Sequence, residues 1–300
     1  MQVVLGCGNF GGIGSAPDFF GQGETREQAF ALMDAAWELG LRWFDTADAY
    51  GGGRSETWIG EWIRATGNRP RITTKTFNPM EAGADRGLSR DRVLRQAESS
   101  LERLGIERID LYLTHEPDPD TPVAETHAAF EELRGRGLIE RWGLSNADEA
   151  NLRDWLGHGT PALVQNSYSL LERGDERTVV PLCAEHGIDY QAFSPLAGGW
   201  LTGKYRRGSE PPAGSRMTLR PEPYRHLETD AVYDGLDALA QEAERRGVSI
   251  AGLALAWALR TAASVVVGPR RPDHLAPVRE ALGLDLSPRD ADALSSLFPS

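Results

Sequence analysis

Four residues in the first half of the chain could act together as a proton donor. Asp45 and Tyr50 lie five positions apart in FDTADAYGGGRSE (44–56), and Lys75 and His115 follow in RITTKT and LTHE. A tyrosine is a weak acid near neutral pH, because its reference pKa is about 10. A neighbouring lysine ammonium favours the phenolate, and an aspartate offsets the cost of burying that ammonium. We therefore expect Lys75 and Asp45 to lower the pKa of Tyr50. His115 would hydrogen-bond a substrate oxygen or share the proton.

Each of these residues has a structural explanation when it is taken alone. A buried aspartate–lysine pair, a tyrosine after a strand and a histidine in a core are more often structural than catalytic, and Asp45 could simply cap a turn. The prediction therefore depends on whether the fold brings the four side chains together.

Apolar or β-branched runs alternate with helical periodicity along the chain. Helices are expected from Thr25 to Leu39, with Gly40 as C-cap, from Ser89 to Leu104, and after Thr121, with Pro122 at the first helical position. Eight strand–helix units predict an α/β fold, a (β/α)8 TIM barrel that forms a single domain over 1–300. The expected strands are VVLGC (3–7), RWFDT (42–46), RITTKT (71–76), IDLYLT (109–114), IERWGLS (139–145), ALVQNS (162–167), IDYQAFS (188–194) and SVVVG (264–268).

An open doubly wound sheet is the main alternative. It is disfavoured because GCGNFGG (6–12) lacks the G-x-G-x-x-G spacing and no helix is expected before Thr25.

Two long loops are expected over the C-terminal face of the barrel. The segment 198–229 is rich in Pro, Gly and Arg, and the segment 11–23 combines mobile glycines with the apolar rings of Phe19 and Phe20. Active sites of such barrels lie at the carboxyl ends of the strands, and consecutive strands are roughly 4.8 Å apart. Asp45, Lys75 and His115 end consecutive strands, so we expect them side by side.

Composition restricts the partners. The chain has 32 Lys and Arg against 44 Asp and Glu, and a net charge of −12 opposes binding to nucleic acid or anionic membranes. The first residues do not resemble a signal peptide, and the apolar stretch 249–268 carries Arg260 and indicates a buried helix followed by a strand. Cys7 and Cys183 cannot form a disulfide framework or a metal site alone, which favours a reducing cytoplasm.

A series of motifs, in order, resembles the aldo-keto reductase superfamily, closest to its bacterial and channel-β-subunit-like branch. The resemblance covers nearly the whole chain. The motifs are DTADAYG (45–51), TK (74–75), LTHEPDPDTP (113–122), GLSN (143–146), Gln165 to Leu171, and Ser194 to Tyr205 with its SPL and LTGKY. Many relatives have a β-hairpin before the first strand. Here the first strand is expected almost at once, so we expect no such hairpin, and we expect C-terminal residues or a partner to cover the bottom of the barrel.

The resemblance implies NADPH-dependent reduction of an aldehyde or ketone. Tyr50 would be the general acid, Lys75 and Asp45 would tune it, and His115 would orient the carbonyl, while hydride comes from the nicotinamide. Ser145, Asn146 and Gln165 would hold the carboxamide, and Phe193 would stack on the ring. The remaining expected cofactor residues are Ser194, Leu196, Lys204, Gly268 and His274.

Arg270 and Arg271 follow the eighth strand, where the family binds the 2′-phosphate. Two adjacent arginines in an acidic chain favour an anion site and NADP over NAD, although a solvated loop is the alternative. His274 and Val278 stand where many relatives have Gln and Asn near the adenine, so cofactor preference could differ.

Two other functions stay open: a regulatory, redox-sensing module of this fold, and a metal-dependent hydrolase using Asp45 and His115. The expected partner is a small carbonyl substrate, aromatic or sugar-like, in a monomer or homo-oligomer. Glu116 could accept hydrogen bonds from a polyol or point to solvent. Aromatic candidates for the substrate pocket, or alternatively for the core, are Phe10, Phe19, Phe20, Trp142, Tyr168, Trp200 and Tyr224.

Overall fold

The computed structural model describes residues 2–298 and contains eight parallel strands that close into a barrel in chain order. This arrangement confirms the (β/α)8 barrel and excludes the open sheet. Every predicted strand is present and shifted by one residue at most at either end. The strands are β1 Gln2–Gly6, β2 Trp43–Asp45, β3 Arg71–Thr76, β4 Ile109–Thr114, β5 Ile139–Ser145, β6 Leu163–Ser167, β7 Asp189–Phe193 and β8 Ser264–Val267.

Helices surround the barrel and alternate with the strands. The α-helices of the described residues are α1 Arg26–Glu38, α2 Arg54–Thr66, α3 Arg90–Leu104, α4 Val123–Gly135, α5 Glu149–Leu156, α6 Val179–His186, α7 Arg216–Leu219, α8 Asp230–Arg246, α9 Ile250–Thr261, α10 Ala276–Gly283 and α11 Pro288–Ser295.

The helix ends follow the sequence with two corrections. Thr25 caps α1 through a reciprocal capping box with Gln28, as its type predicts. Leu39, and not Gly40, is the C-cap of that helix. Pro122 is the N-cap of α4 and not its first helical residue. A proline suits both places because neither position requires a backbone N–H donor.

Both predicted loops contain local structure. The β1–α1 loop has a 3₁₀ turn at Pro17–Phe19 and pairs Phe10 with Glu24. The β7–α8 loop contains 3₁₀ turns at Ala197–Thr202 and Glu222–Leu227 with α7 between them. These turns satisfy backbone groups that a loop of this length would otherwise expose.

Trp43 fills the barrel interior near the amino ends of the strands. It packs with the inward apolar side chains of other strands, and its indole donates to Thr73 Oγ1 at 2.6 Å. The guanidinium carbons of Arg71 and Arg141 lie 5.4 Å and 5.8 Å from its ring. Within the described residues, this aromatic and the two cations occupy the bottom of the barrel that C-terminal residues or a partner were expected to cover.

Candidate active site

A buried ion pair forms the floor of the site at the carboxyl ends of β2 and β3. Lys75 Nζ donates to Asp45 Oδ1 at 2.6 Å and to the Thr46 carbonyl at 2.9 Å. The side chains are 1% and 5% exposed, respectively. A charge this deeply buried requires a close counter-ion, and Asp45 supplies it. His115 directly follows β4, whose register with β3 aligns Lys75 with Leu113. The predicted juxtaposition at neighbouring strand ends is therefore present.

Tyr50 reaches the same place from the loop after β2. Its hydroxyl lies 3.4 Å from His115 Nε2, and Lys75 Nζ lies 5.2 Å from the centre of its ring. Three glycines follow it, all with positive φ, and a Cβ at Gly51 would lie 2.5 Å from the Phe10 carbonyl oxygen. Only glycine fits that approach without strain, so the glycines allow the tyrosine loop to pack against the β1 loop.

The net change in the pKa of Tyr50 is opposite to the prediction. Burial raises the pKa of Tyr50; the charge of Lys75 lowers it, and the charge of Asp45 raises it again. The lysine therefore acts in the expected direction, but it does not overcome burial. Because the pKa is raised, the tyrosine holds its proton at neutral pH and can donate it.

His115 is neutral, whereas Lys75 is positively charged. Burial, aided by the charge of Lys75, holds the pKa of His115 well below its usual range, so the imidazole is neutral. Burial alone would lower the pKa of Lys75, but the charge of Asp45 and the interaction with Tyr50, whose phenolate forms only at high pH, raise it overall. The site thus combines an uncharged tyrosine–histidine pair with one ammonium directly beneath it.

Amide side chains connect the ion pair to the opposite strands. Gln165 lies in the middle of β6, and its Nε2 donates to Asp45 Oδ2 and to Gln191 Oε1, both at 2.7 Å. Gln191 Nε2 in turn donates to Ser264 Oγ at 2.7 Å. Gln165, predicted to hold the carboxamide, therefore also orients the Asp45 carboxylate.

Asn146 and Ser145 end β5 beside the histidine. Asn146 has a φ of 56°, and its Nδ2 donates to the His115 carbonyl at 2.9 Å and to Glu116 Oε1 at 3.3 Å. Ser145 Oγ lies 3.4 Å from the same amide nitrogen. The strained backbone of Asn146 is the kind of geometry that sites use to aim a polar side chain.

The predicted ring-stacking residue lies at the end of β7. Phe193 is partly buried and packs against the apolar cluster inside the barrel. Ser194 follows it with a φ of 54°, and Leu196 is partly buried in the outer core. These residues border the half of the mouth that faces away from Tyr50.

Positive charge is concentrated at the ends of β7 and β8. Partial burial, and then the charges of Arg216 and Arg270, lower the pKa of Lys204. Arg216 also donates to Asn9 Oδ1, and Arg270 Nε donates to Glu24 Oε1 at 2.7 Å. Such a grouping in a chain of net charge −12 indicates a site for an anion.

The other predicted adenosine-end residues are dispersed. Arg271 is exposed and paired with Asp273, whereas the Nδ1 atom of His274 accepts from the Arg270 backbone N–H at 3.3 Å. Gly268 is exposed, and Val278 is buried. The donor set near the tyrosine suits a nicotinamide dinucleotide. Side-chain amides contact the His115 carbonyl and the Asp45 carboxylate, and the group around Arg270 is positively charged.

Arg216 and Glu24 were not identified from the sequence. Arg216 lies in a Pro- and Gly-rich loop, where its only signal was a basic residue within an acidic chain. Glu24 precedes a helix N-cap, a place where acidic residues are ordinary. Neither sequence context reveals the contact with the β8 loop.

Four of the seven aromatic candidates belong to the core. Trp142, for example, stacks on Phe130 and donates to Glu131, outside the barrel. Phe19, Phe20 and Tyr224 are partly exposed. The four candidates that belong to the core, each at least 95% buried, are Phe10, Trp142, Tyr168 and Trp200.

A second buried acid lies beneath the tyrosine loop. Asp48 is fully buried, and neither of its carboxylate oxygens has a hydrogen-bond partner among the described residues. Its nearest cation is Arg92, at 4.0 Å. Burial, reinforced by the charge of Glu56, raises the pKa of Asp48 to about 7.

Residues 2–298 contain neither a cluster of metal-ligating side chains nor a helix suited to span a membrane. No group of three or more His, Cys, Asp or Glu side chains is placed to hold a metal ion. None of the helices in this part of the chain is both long enough and apolar enough to cross a membrane.

Comparisons with known proteins agree with this geometry. A family model described as the Aldo/keto reductase family matches residues 3–298. A probable voltage-gated potassium channel subunit beta from Oryza sativa subsp. japonica is 32% identical, with 94% of this chain and 90% of that protein covered. An NADH-specific methylglyoxal reductase from Escherichia coli (strain K12) is 30% identical, with 98% and 94% covered. The solved structure of a glycerol dehydrogenase from Gluconobacter oxydans superposes with a TM-score of 0.84 at 25% identity, with 98% and 90% covered.

The buried Asp48 carboxyl predicts a pH-dependent stability. Because its pKa is raised in the folded chain, the folded state binds the proton more tightly than the unfolded state between about pH 4 and 7. This contribution is therefore lost as the pH rises through that window. Asp48→Asn cannot ionise, so its free energy of unfolding relative to wild type should increase by about 3 kcal/mol between pH 5 and pH 8. Urea unfolding at both pH values measures this difference.

Asp91→Asn is the matched control, since its side chain is 89% exposed on α3. Its difference from wild type should stay constant between the two pH values. A constant difference for Asp48→Asn as well would show that Asp48 is ionised across the whole range.

Proposed function

The chain belongs to the aldo/keto reductase family, and on that premise we propose that it is an NADP(H)-dependent oxidoreductase that reduces an aldehyde or ketone to an alcohol. The observation that supports this most is the position of the Tyr50 hydroxyl, 3.4 Å from neutral His115 and above the buried Lys75–Asp45 pair. Four polar side chains converge there from three neighbouring strand ends.

The proposed roles follow from the charge states. When bound, a nicotinamide supplies hydride to the carbonyl carbon, and the carbonyl oxygen then gains negative charge. Tyr50 holds its proton at neutral pH and donates it to that oxygen. The ammonium of Lys75 stabilises the resulting phenolate, and Asp45 keeps the ammonium in place. Neutral His115 can donate a hydrogen bond to the same oxygen and fix its direction.

The remaining site residues are assigned to the cofactor. Ser145, Asn146 and Gln165 would hold the carboxamide, and Phe193 would lie against the nicotinamide ring. The group formed by Lys204, Arg216 and Arg270 supports binding of the cofactor phosphates, because guanidinium groups form paired hydrogen bonds to phosphate. We propose NADPH as the preferred cofactor on this basis, although a relative in Escherichia coli is described as NADH-specific.

A regulatory role is the second candidate. The observation that favours it is the 32% identity to a probable voltage-gated potassium channel subunit beta. In that case the same site would bind cofactor and report its redox state, with slow turnover. A reducing cytoplasm suits either role, and Cys7 and Cys183 are both buried and unpaired.

Tyr50→Phe tests the general acid. The variant keeps the ring but loses the proton, so we expect kcat to fall by about 10²- to 10⁴-fold, the range for loss of a positioned acid. The Kd for NADPH should stay within a factor of two of wild type. Initial rates of NADPH oxidation against a panel of aldehydes, ketones and keto-sugars, with fluorescence titration of NADPH, measure both values. A variant that keeps most of its rate would contradict the role of Tyr50.

Arg270→Ala combined with Arg271→Ala tests the cofactor phosphate. Removing two guanidinium groups should raise the Kd for NADPH by about 10- to 100-fold, which is equivalent to the loss of one or two charged hydrogen bonds. Because NADH lacks the 2′-phosphate, its Kd should change by less than threefold. Arg279→Ala, on the exposed face of α10, is the control for lost positive charge nearby. Equal losses for NADPH and NADH would reject the 2′-phosphate assignment.

A further inference from the structure

A single carboxylate is buried next to the cationic cluster. Glu24 lies between β1 and α1, and its side chain is only 2% exposed. Its backbone is fixed, because its N–H donates to the Asn9 carbonyl at 2.8 Å and its own carbonyl accepts from Gly11 at 3.0 Å. A Cβ at the preceding Gly23 would lie 2.0 Å from the Asn9 oxygen. The fold therefore holds Glu24 in this position.

The carboxylate contacts the arginine that is expected to bind phosphate. Its Oε1 atom accepts from Arg270 Nε at 2.7 Å, while Arg270 Nη1 donates to the Gly214 carbonyl at 3.0 Å. Two of the five N–H donors of the Arg270 guanidinium, including the Nε–H that a paired contact with phosphate could use, are thus already engaged. The interaction joins the β1 loop, the β7 loop and the β8 loop.

The other oxygen of Glu24 lacks a partner. Oε2 is buried without a hydrogen bond among the described residues. Burial raises the pKa of Glu24, whereas the hydrogen bond and charge of Arg270, and then the charge of Arg216, lower it. The carboxylate is therefore held in this place chiefly by Arg270, and it is incompletely satisfied there.

A 2′-phosphate and the Glu24 carboxylate would compete for one guanidinium. Both are anions, both use its N–H groups, and two anions on the same group repel each other. NADH carries no phosphate at that position, so it does not compete with Glu24 for Arg270. The contact should therefore oppose the binding of one cofactor and not of the other.

We propose that Glu24 is an internal counter-ion of Arg270 that limits the affinity for NADPH. Binding of NADPH displaces the carboxylate from the guanidinium, whereas NADH binds with the contact intact. Glu24 thereby sets how strongly this chain distinguishes the two cofactors. The inference rests on the proposed function, since it requires a nicotinamide dinucleotide to reach Arg270.

Glu24→Gln removes the charge and keeps the size of the side chain. We expect its Kd for NADPH to be at least fivefold lower than that of wild type, and its Kd for NADH to change less than twofold. Fluorescence titration of both cofactors into the purified full-length protein measures these constants without turnover. Unchanged NADPH affinity, or equal changes for both cofactors, would overturn the proposal. Glu24→Met, also uncharged and similar in length, should give the same direction and serves as the second variant.

A double-mutant cycle tests the dependence on Arg270. In an Arg270→Met background, adding Glu24→Gln should lower the Kd for NADPH by less than twofold, because no Arg270 guanidinium remains to be released from Glu24. An equal gain in both backgrounds would assign the effect to general charge repulsion and overturn the counter-ion role. Failure of wild type to bind either cofactor would instead overturn the proposed function itself.

Discussion

The site depends on keeping one ammonium charge inside the mouth of the barrel. Lys75 is 99% shielded from solvent, and an isolated charge at that depth would lose its proton. Asp45 and the Thr46 carbonyl prevent this, and Gln165 holds the second oxygen of Asp45. The tyrosine hydroxyl and the neutral imidazole then face a fixed positive charge. Their chemistry follows from that charge, and removing either member of the pair would leave the other buried without compensation.

Positive charge also organises the other end of the mouth. The chain as a whole carries a net charge of −12, yet the charges of Arg216 and Arg270 add to the larger effect of burial in lowering the pKa of Lys204. Mutual repulsion of this kind persists only where something offsets it. Within the described residues Glu24 offsets part of it, and an anionic ligand would offset more. Both ends of the mouth therefore pair a cation with a buried carboxylate. Lys75 is buried with Asp45, whereas Arg270 is partly exposed and contacts the buried Glu24.

The sequence predicted local structure and the grouping of the strand-end residues well, because both depend on short-range patterns. β-branched runs located all eight strands, and the barrel rule then placed Asp45, Lys75 and His115 together. Long-range contacts could not be predicted from the sequence. Gln165 and Asp45 are hydrogen-bonded although they are 120 positions apart in the sequence, and Glu24 and Arg270 are 246 positions apart. No local pattern indicates either pairing. The pKa of Tyr50 was predicted in the wrong direction because the sequence gives the lysine but not the extent of burial. The aromatic rings of Trp142 and Tyr168 were ambiguous for the same reason.

The most direct test concerns the control of Tyr50 by Lys75. The quantity to measure is the single-turnover rate constant of carbonyl reduction as a function of pH, in wild type and in Lys75→Met combined with Asp45→Asn, which leaves no unpaired buried carboxylate. We expect the rate constant to fall by about 10²-fold or more. The loss of rate at alkaline pH, where Tyr50 gives up its proton, should also move to higher pH, because Lys75 lowers that pKa by its charge and hydrogen bond more than the charge of Asp45 raises it. An unchanged rate constant and an unchanged alkaline limb would contradict the dependence of the proton donor on this ion pair.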